Sequence, residues 1–236
     1  MNAFNRFAAL AAIALVSTQA HAVQPVTFDF TSAPISGNTY TATNASTGLK
    51  ITASAWSSAT GTSAFTAATL SGAADGLGVC NSGETGCLPS NALGALGNNA
   101  GSDMILFSFN APVSLRALTI GQFAGVSSDL DMWAGTGPLA ANSLPASLGT
   151  AASFSVAASN QAGNIVDLKI SKTFKADYDW IAVSAQLGAM NDLAKLRALT
   201  VQINPQTQPV PDAATWMTML AGLGLVGFRV SRRMQT

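Results

Sequence analysis

Apolar and polar residues alternate in short runs through the middle of the chain, and clusters of Gly, Pro, Asn and Ser separate the runs. A period of two is typical of a strand with one buried face and one solvated face. No long amphipathic helical pattern lies between the runs. The alternation predicts strands at residues 26–30, 49–56, 104–109, 113–120, 129–133, 165–170, 180–185 and 195–203.

Short strands at this spacing, with no helix between them, favour two packed sheets over an α/β arrangement. We therefore predict an all-β fold, a jelly-roll-like β-sandwich ectodomain that spans residues 23–203. Residues 191–203 could be interpreted as a helix from composition, but the closing Thr-Val-Gln-Ile favours a strand. The Asn-Ala-Pro at 110–112 stands between two of the runs and predicts a tight hairpin there.

Residues 1–22 have the three parts of a cleaved secretory signal peptide. Arg6 supplies the positive charge, residues 7–16 are an apolar run, and Ala20 and Ala22 form an A-x-A site for signal peptidase. An N-terminal membrane anchor is the weaker alternative, because ten apolar residues cover only about half of a bilayer core. We expect an exported mature chain that begins at Val23.

The other end of the chain predicts a membrane-sorting tail. Residues 204–209 form a linker that contains Pro and Gln, and residues 215–228 form an uncharged, mostly apolar stretch. This stretch predicts a short transmembrane helix whose basic end, 229–233, stays on the cytoplasmic side. Fourteen residues span about 21 Å of a core of about 30 Å, so the alternative is a helix of the domain core. The basic residues are Arg229, Arg232 and Arg233.

The tail at 210–236 resembles the PEP-CTERM sorting domain, also known as an ice-binding-protein C-terminal domain. The residues that carry this resemblance are Val210, Pro211, Asp212, Ala213 and Trp216, followed by the glycine-bearing apolar stretch and the arginines. The family pattern is V-P-E-P-x-x-W, so Asp212 replaces a Glu and Ala213 replaces the second Pro. The resemblance implies recognition by an exosortase, cleavage near Pro211, and a final location at the cell surface or in the extracellular matrix.

The body of the chain is similar to a family of exosortase-dependent surface proteins, over most of residues 49–200. That family has a histidine-containing segment before its D-x-x-x-F-x-F strand, whereas this chain has Asn91-Ala92-Leu93 there. The family is described by its sorting and not by an activity. The similar residues are the run at 49–56, Gly76 to Asn81, Glu84, Cys87, Asp103 to Phe109 and Asp129 to Asp131.

Composition and charge exclude several classes of function. His21 is the only histidine and leaves with the signal peptide, which excludes Ser-His-Asp catalysis, Cys-His catalysis and His-ligated zinc. Residues 23–208 carry seven basic and ten acidic side chains without a basic patch, so we expect no nucleic-acid partner.

Cys80 and Cys87 are the only cysteines of this exported chain, and we predict a disulfide between them. The alternatives are a free nucleophile or a metal thiolate, but neither a base nor a third soft ligand accompanies the two thiols.

Asp103, Asp129 and Asp131 are candidate calcium ligands, because Ca²⁺ binds carboxylate and carbonyl oxygens in loops. We expect no other cofactor. Asp129 and Asp131 form a D-x-D pair, as do Asp177 and Asp179. We prefer the alternative that these pairs are solvated turn or edge residues.

We expect a non-enzymatic surface or matrix protein that is associated with exopolysaccharide or biofilm, with exosortase, signal peptidase and the membrane as its partners. The main alternative is a calcium-assisted carbohydrate-binding module that acts through a platform of exposed Trp56, Trp133 and Trp180, although core packing is the preferred role of these three side chains. A secreted hydrolase that uses Asp carboxylates is the third hypothesis.

Overall fold

The computed structural model describes residues 25–32, 35, 38–58, 64–84, 95–98, 101–140, 143–161, 164–169, 174 and 176–203. This part of the chain contains strands and no helix, which confirms the predicted all-β fold. The segment that composition alone allowed as a helix forms a strand at 193–203. The strands are β1 (Pro25–Asp29), β2 (Thr39–Thr43), β3 (Lys50–Ser58), β4 (Thr66–Ala67), β5 (Thr69–Ala73), β6 (Gly76–Cys80), β7 (Leu96–Gly97), β8 (Ser102–Gln122), β9 (Leu130–Gly135), β10 (Ala152–Phe154), β11 (Ile165–Lys169), β12 (Tyr178–Ala185) and β13 (Leu193–Ile203).

Strand β8 organises the sheet, because its two arms have different partners. Residues 102–109 pair with β3 on one side and with β12 on the other. Residues 113–122 pair with β13 and β11. We call the strands around residues 102–109 the first strand set, and β9 and β10 extend it beyond β12. We call the strands around residues 113–122 the second strand set, in which β1, β6 and β7 pair with β13. All these pairs are antiparallel.

The hairpin predicted at 110–112 is wrong, because β8 continues through these residues. The ladder with β3 ends at Phe109 and the ladder with β13 begins at Val113. Pro112 therefore lies where the strand changes partners, and its missing N–H removes no ladder hydrogen bond. Asn110 accepts a hydrogen bond from Lys50 N at 2.7 Å and donates one to the Gly48 carbonyl at 3.2 Å.

The main apolar core contains side chains from both arms of β8. Phe30 is fully buried in this core and stacks on Phe107, with ring centroids 5.5 Å apart. The backbone N–H of Phe30 donates to the Arg197 carbonyl at 2.8 Å, so Phe30 continues the edge formed by β1 and β13. The contact therefore joins the strand set of one arm of β8 to that of the other.

A second apolar cluster lies on the opposite face of the first strand set, because neighbouring side chains of a strand point to opposite faces. Met104 and Leu106 belong to this cluster, whereas Ile105 and Phe107 belong to the main core. Leu144 and other leucines of residues 139–148 pack on its outer side.

The three tryptophans of this second cluster, Trp56, Trp133 and Trp180, are all buried, which confirms the prediction that they pack in a core. Gly135 makes room for one of them, since a Cβ atom there would lie 2.2 Å from Cζ2 of Trp180.

Both ends of the described chain lie at one pole of the domain. Strands β1 and β13 are antiparallel neighbours, with Pro25 opposite Gln202. We call this end the terminal pole. At the opposite end of β13, Leu193 pairs with Gly97. We call this end the loop pole, and it is formed by residues 81–84, 97–98, 123–129 and 186–192. The 11 residues of β13 separate the two poles by about 35 Å.

Candidate functional site

The loop pole contains a network of acidic side chains that accept hydrogen bonds from neighbouring loops. Asp192 is the centre of one part of it. Its Oδ1 accepts hydrogen bonds from Ser127 Oγ at 2.7 Å and from Asp129 N at 3.2 Å. Its Oδ2 accepts one from Asn98 Nδ2 at 2.8 Å, and the Asn98 Oδ1 accepts one from Asp192 N at 2.9 Å. One buried carboxylate therefore connects three of the four loops.

Asp103 is the centre of a second network and is only 1% exposed. Its Oδ1 accepts a hydrogen bond from Asn81 Nδ2 at 3.1 Å, and its Oδ2 accepts one from Gly97 N at 3.2 Å. Burial raises the pKa of Asp103 to about 8, the hydrogen bond from Asn81 opposes this, and the nearby charge of Glu84 raises the pKa further. Near neutral pH the buried carboxyl is therefore mostly protonated.

Lys195 is a buried cation at the same pole and is also 1% exposed. Burial lowers the pKa of its amine to about 8, while the charges of Asp75 and Glu84 act in the opposite direction. Burial also raises the pKa of Glu84. Groups that titrate near neutral pH are suited to proton transfer, but the burial of Asp103 and Lys195 keeps substrate atoms away from both in this conformation.

The proposed calcium ligands take part in hydrogen bonds inside the fold. Asp129 Oδ1 accepts one from Val156 N at 2.5 Å, and Asp131 accepts one from Ser153 Oγ at 2.5 Å and another from Leu187 N at 2.8 Å. Asp131 is buried, so its interpretation as a solvated edge residue is wrong. Asp131 is held in place by β10 and the segment after β12.

Asp129 and Asp131 both contact residues 153–156, whereas Asp103 belongs to the separate network around Asn81. Among the residues that the structure describes, no group of three or more His, Cys, Asp or Glu side chains is placed to hold a metal ion. Calcium binding stays a prediction. A chelator that lowers the melting temperature of the protein would support it, and an unchanged melting temperature would count against it.

A groove of about 460 Å³ lies beside the loop pole, over the second apolar cluster. Its walls contain no charged side chain. Leu187 links the groove to the acidic network, because its N–H donates to Asp131. The residues that line it are Phe65, Trp133, Leu144, Pro145, Ala146, Ser147, Leu148, Gly149, Ala151 and Leu187.

Several predicted sites lie outside the described residues. Cys80 ends β6, and no cysteine in the described part of the chain is free, but Cys87 is outside it, so their pairing stays a prediction. Within the described residues there is no helix long and apolar enough to cross a membrane. The other predicted sites outside the described residues are Ala20, Ala22, Val210, Pro211, Asp212, Ala213, Trp216, Arg229, Arg232 and Arg233.

Neither Asp192 nor Lys195 was predicted to be a site residue. An Asn-Asp pair just before a strand is typical of a turn whose side chains bind backbone groups, so Asp192 had a detectable local signal. Lys195 had none, because an isolated lysine in an alternating strand is usually solvated.

The described residues define an all-β domain whose hydrogen-bonded loop pole lies opposite Pro25 and Gln202. A scan against protein-family models finds no match to this chain, and a search of curated proteins finds no relative.

Proposed function

We propose that this chain is an exported, exosortase-sorted surface or extracellular-matrix protein, associated with exopolysaccharide or biofilm. In this proposal signal peptidase removes residues 1–22, the tail at 210–236 holds the protein in the membrane, and an exosortase then cleaves near Pro211. The tail resemblance to the PEP-CTERM domain and the A-x-A site are the sequence support for it.

One structural observation carries the proposal, namely the antiparallel pairing of β1 with β13 at Pro25 and Gln202. Since Pro25 and Gln202 are neighbours, the described chain connects to the proposed signal peptide and to the proposed sorting tail at the same end of the domain. A chain tethered by either segment then holds the loop pole away from the membrane. The strands also begin and end close to the proposed domain limits, 23 and 203.

The proposal includes a jelly-roll-like β-sandwich as the finer description of the fold. The different partners of the two arms of β8 support it, as does the packing of Phe30 on Phe107 between the two strand sets. It also includes a disulfide between Cys80 and Cys87, which is supported by their short spacing and by the proposed export of the chain.

We further propose that the protein acts by contact and not by catalysis. Internal hydrogen bonds to Asp103, Asp131 and Asp192 support a structural role for these carboxylates. The carbohydrate-binding alternative depended on exposed tryptophans, and all three candidates are buried. The hydrolase hypothesis requires turnover of a polysaccharide that Asp→Asn substitutions abolish.

The sorting proposal is tested by replacing the basic end of the tail. In a variant that combines Arg229→Gln, Arg232→Gln and Arg233→Gln, the tail loses its cytoplasmic stop. We expect uncleaved protein to leave the membrane fraction and to accumulate in the periplasm or medium, as measured by fractionation and immunoblotting. Arg116→Gln, at an exposed position of the domain, is the matched control and should sort normally. A triple variant that sorts like the wild type would contradict the proposal.

A further inference from the structure

We propose that the loop between β9 and β10 is a hinged lid, whose described residues, 138–140 and 143–149, cover Trp133 when closed and uncover it when open. Strands β9 and β10 are antiparallel neighbours. Their connection at 136–151 is far longer than the roughly two to five residues of a usual hairpin loop, and its described residues form neither a strand nor a helix. Long loops of this kind in compact domains commonly serve as lids or binding loops.

Apolar contacts hold the lid against the domain. Three half-buried leucines of the lid pack on the second apolar cluster, namely Leu139, Leu144 and Leu148. The hydrogen bonds of the described lid residues stay within the lid. Ser143 donates to the Ala140 carbonyl through N at 3.1 Å and through Oγ at 2.7 Å, and Gly149 N donates to Ser147 Oγ at 3.2 Å. Moving these residues therefore breaks no hydrogen bond to a strand, and segments held in this way open at a low free energy.

Two glycines at the ends of the lid provide its hinges. Gly137 has a φ of 99° and Gly149 a φ of 74°, and a Cβ atom at either position would meet no other group within 4 Å. Glycine is therefore favoured at both positions by the left-handed backbone and not by crowding. The N–H of Gly137 donates to Asp179 on β12 at 2.6 Å, which fixes the first hinge to the sheet. The lid can turn at both glycines while β9 and β10 stay paired.

The groove gives the lid room to move. Its volume of about 460 Å³ is lined by lid residues 144–149 and, on the domain itself, by Phe65, Trp133 and Leu187. Protein interiors are normally packed closely, so a space of this size shows that the lid does not pack on the domain along its whole length. Trp133 is only 3% exposed in this conformation. Its indole is therefore available to a partner only when the lid is open.

The first test measures how fast an indole-specific nitrobenzyl reagent modifies Trp133 in the full chain in mild detergent, with peptide mass spectrometry locating the product. Gly149→Ala makes the left-handed hinge of the closed lid unfavourable and should raise this rate about fivefold, which corresponds to about 1 kcal/mol. Gly48→Ala is the matched control, because Gly48 has a similar φ of 68° and equally open surroundings but lies in the turn between β2 and β3. It should destabilise the domain by a similar amount and leave the Trp133 rate unchanged.

The matched glycine variants distinguish lid opening from unfolding of the whole domain. If Trp133 reacted only after global unfolding, Gly149→Ala and Gly48→Ala would raise its rate of modification equally. If the indole reacted in the closed form, neither substitution would change the rate. Either result would overturn the proposal. The measurement concerns the folded domain and does not depend on how the tail is processed, so its outcome is independent of the proposed function.

A second pair of variants tests the apolar contacts of the lid and leaves its hinges unchanged. Leu148→Ala weakens the packing of the lid on the second apolar cluster and should raise the rate of Trp133 modification about fivefold. Leu168→Ala truncates another half-buried leucine, which packs on the main core, and should leave that rate unchanged. An unchanged rate in Leu148→Ala, or equal increases in the two variants, would show that these residues do not act as a lid.

Discussion

Replacing Asp103 by Asn should make the protein less stable than the wild type in mildly acidic solution and more stable than the wild type in mildly alkaline solution. In the folded protein the pKa of Asp103 is raised from 3.8 to about 8, mainly by burial. The unfolded chain binds fewer protons than the folded chain between these two values, so stability falls as the pH rises. The stabilising contribution is fully present below the unfolded pKa and is lost as the pH rises through the folded pKa.

The size of the effect follows from this linkage. Between about pH 5 and pH 8, ionisation of Asp103 in the unfolded chain destabilises the folded protein by on the order of 3 kcal/mol. Asp103→Asn removes this titration. The amide cannot accept both hydrogen bonds that the carboxyl accepts from Asn81 and Gly97, which costs about 1 kcal/mol at any pH. The variant should therefore be less stable than the wild type near pH 4 and more stable near pH 8.

Urea unfolding of the oxidised protein at several pH values measures this crossing of the two stability curves. The difference between variant and wild type cancels the groups that titrate without interacting with Asp103, and it retains the coupling of Asp103 to Glu84. Parallel curves for Asp103→Asn and the wild type would refute the reasoning that its burial determines its ionisation.

Three further predictions concern stability. Gly135→Ala should lower the free energy of unfolding by about 1–3 kcal/mol in urea titrations, since its Cβ would overlap the Trp180 indole; an unchanged midpoint would show that the indole moves freely. Asp192→Ala should cost about 2–4 kcal/mol and increase amide exchange at 186–192, because the partners of the carboxylate would stay buried; unaltered exchange would contradict its anchoring role. Combined Cys80→Ser and Cys87→Ser should cost about 2 kcal/mol in thermal unfolding, and no loss would argue against the disulfide.

The apolar runs predicted the long strands well because each strand has at least one face in a core, and β3, β12 and the first arm of β8 are buried on both faces. Residues 104–109 and 113–120 were identified as strands, but the connection between them was not, since Asn-Ala-Pro is common both in hairpins and in strands that change partners. Strands β4, β7 and β10 have only two or three residues, too few to show a period. Their positions depend on partners that are distant in sequence.

The candidate site was only partly predictable for a similar reason. Asp103, Asp129 and Asp131 were selected for their oxygen chemistry, and the fold uses Asp129 and Asp131 to hold loops together. The burial of Lys195 depends on loops that approach β13 from elsewhere in the sequence. The burial of the tryptophans was predictable because each lies in or beside an alternating run.

The most direct test of the sorting proposal is intact-mass spectrometry of the protein recovered from the membrane, surface and medium fractions of its native host. We predict a surface or medium species that begins at Val23, ends near Pro211 and is two hydrogens lighter than the reduced chain. A protein that retains Thr236 in every fraction would contradict the account, because the tail would then act as a permanent anchor and not as a sorting signal.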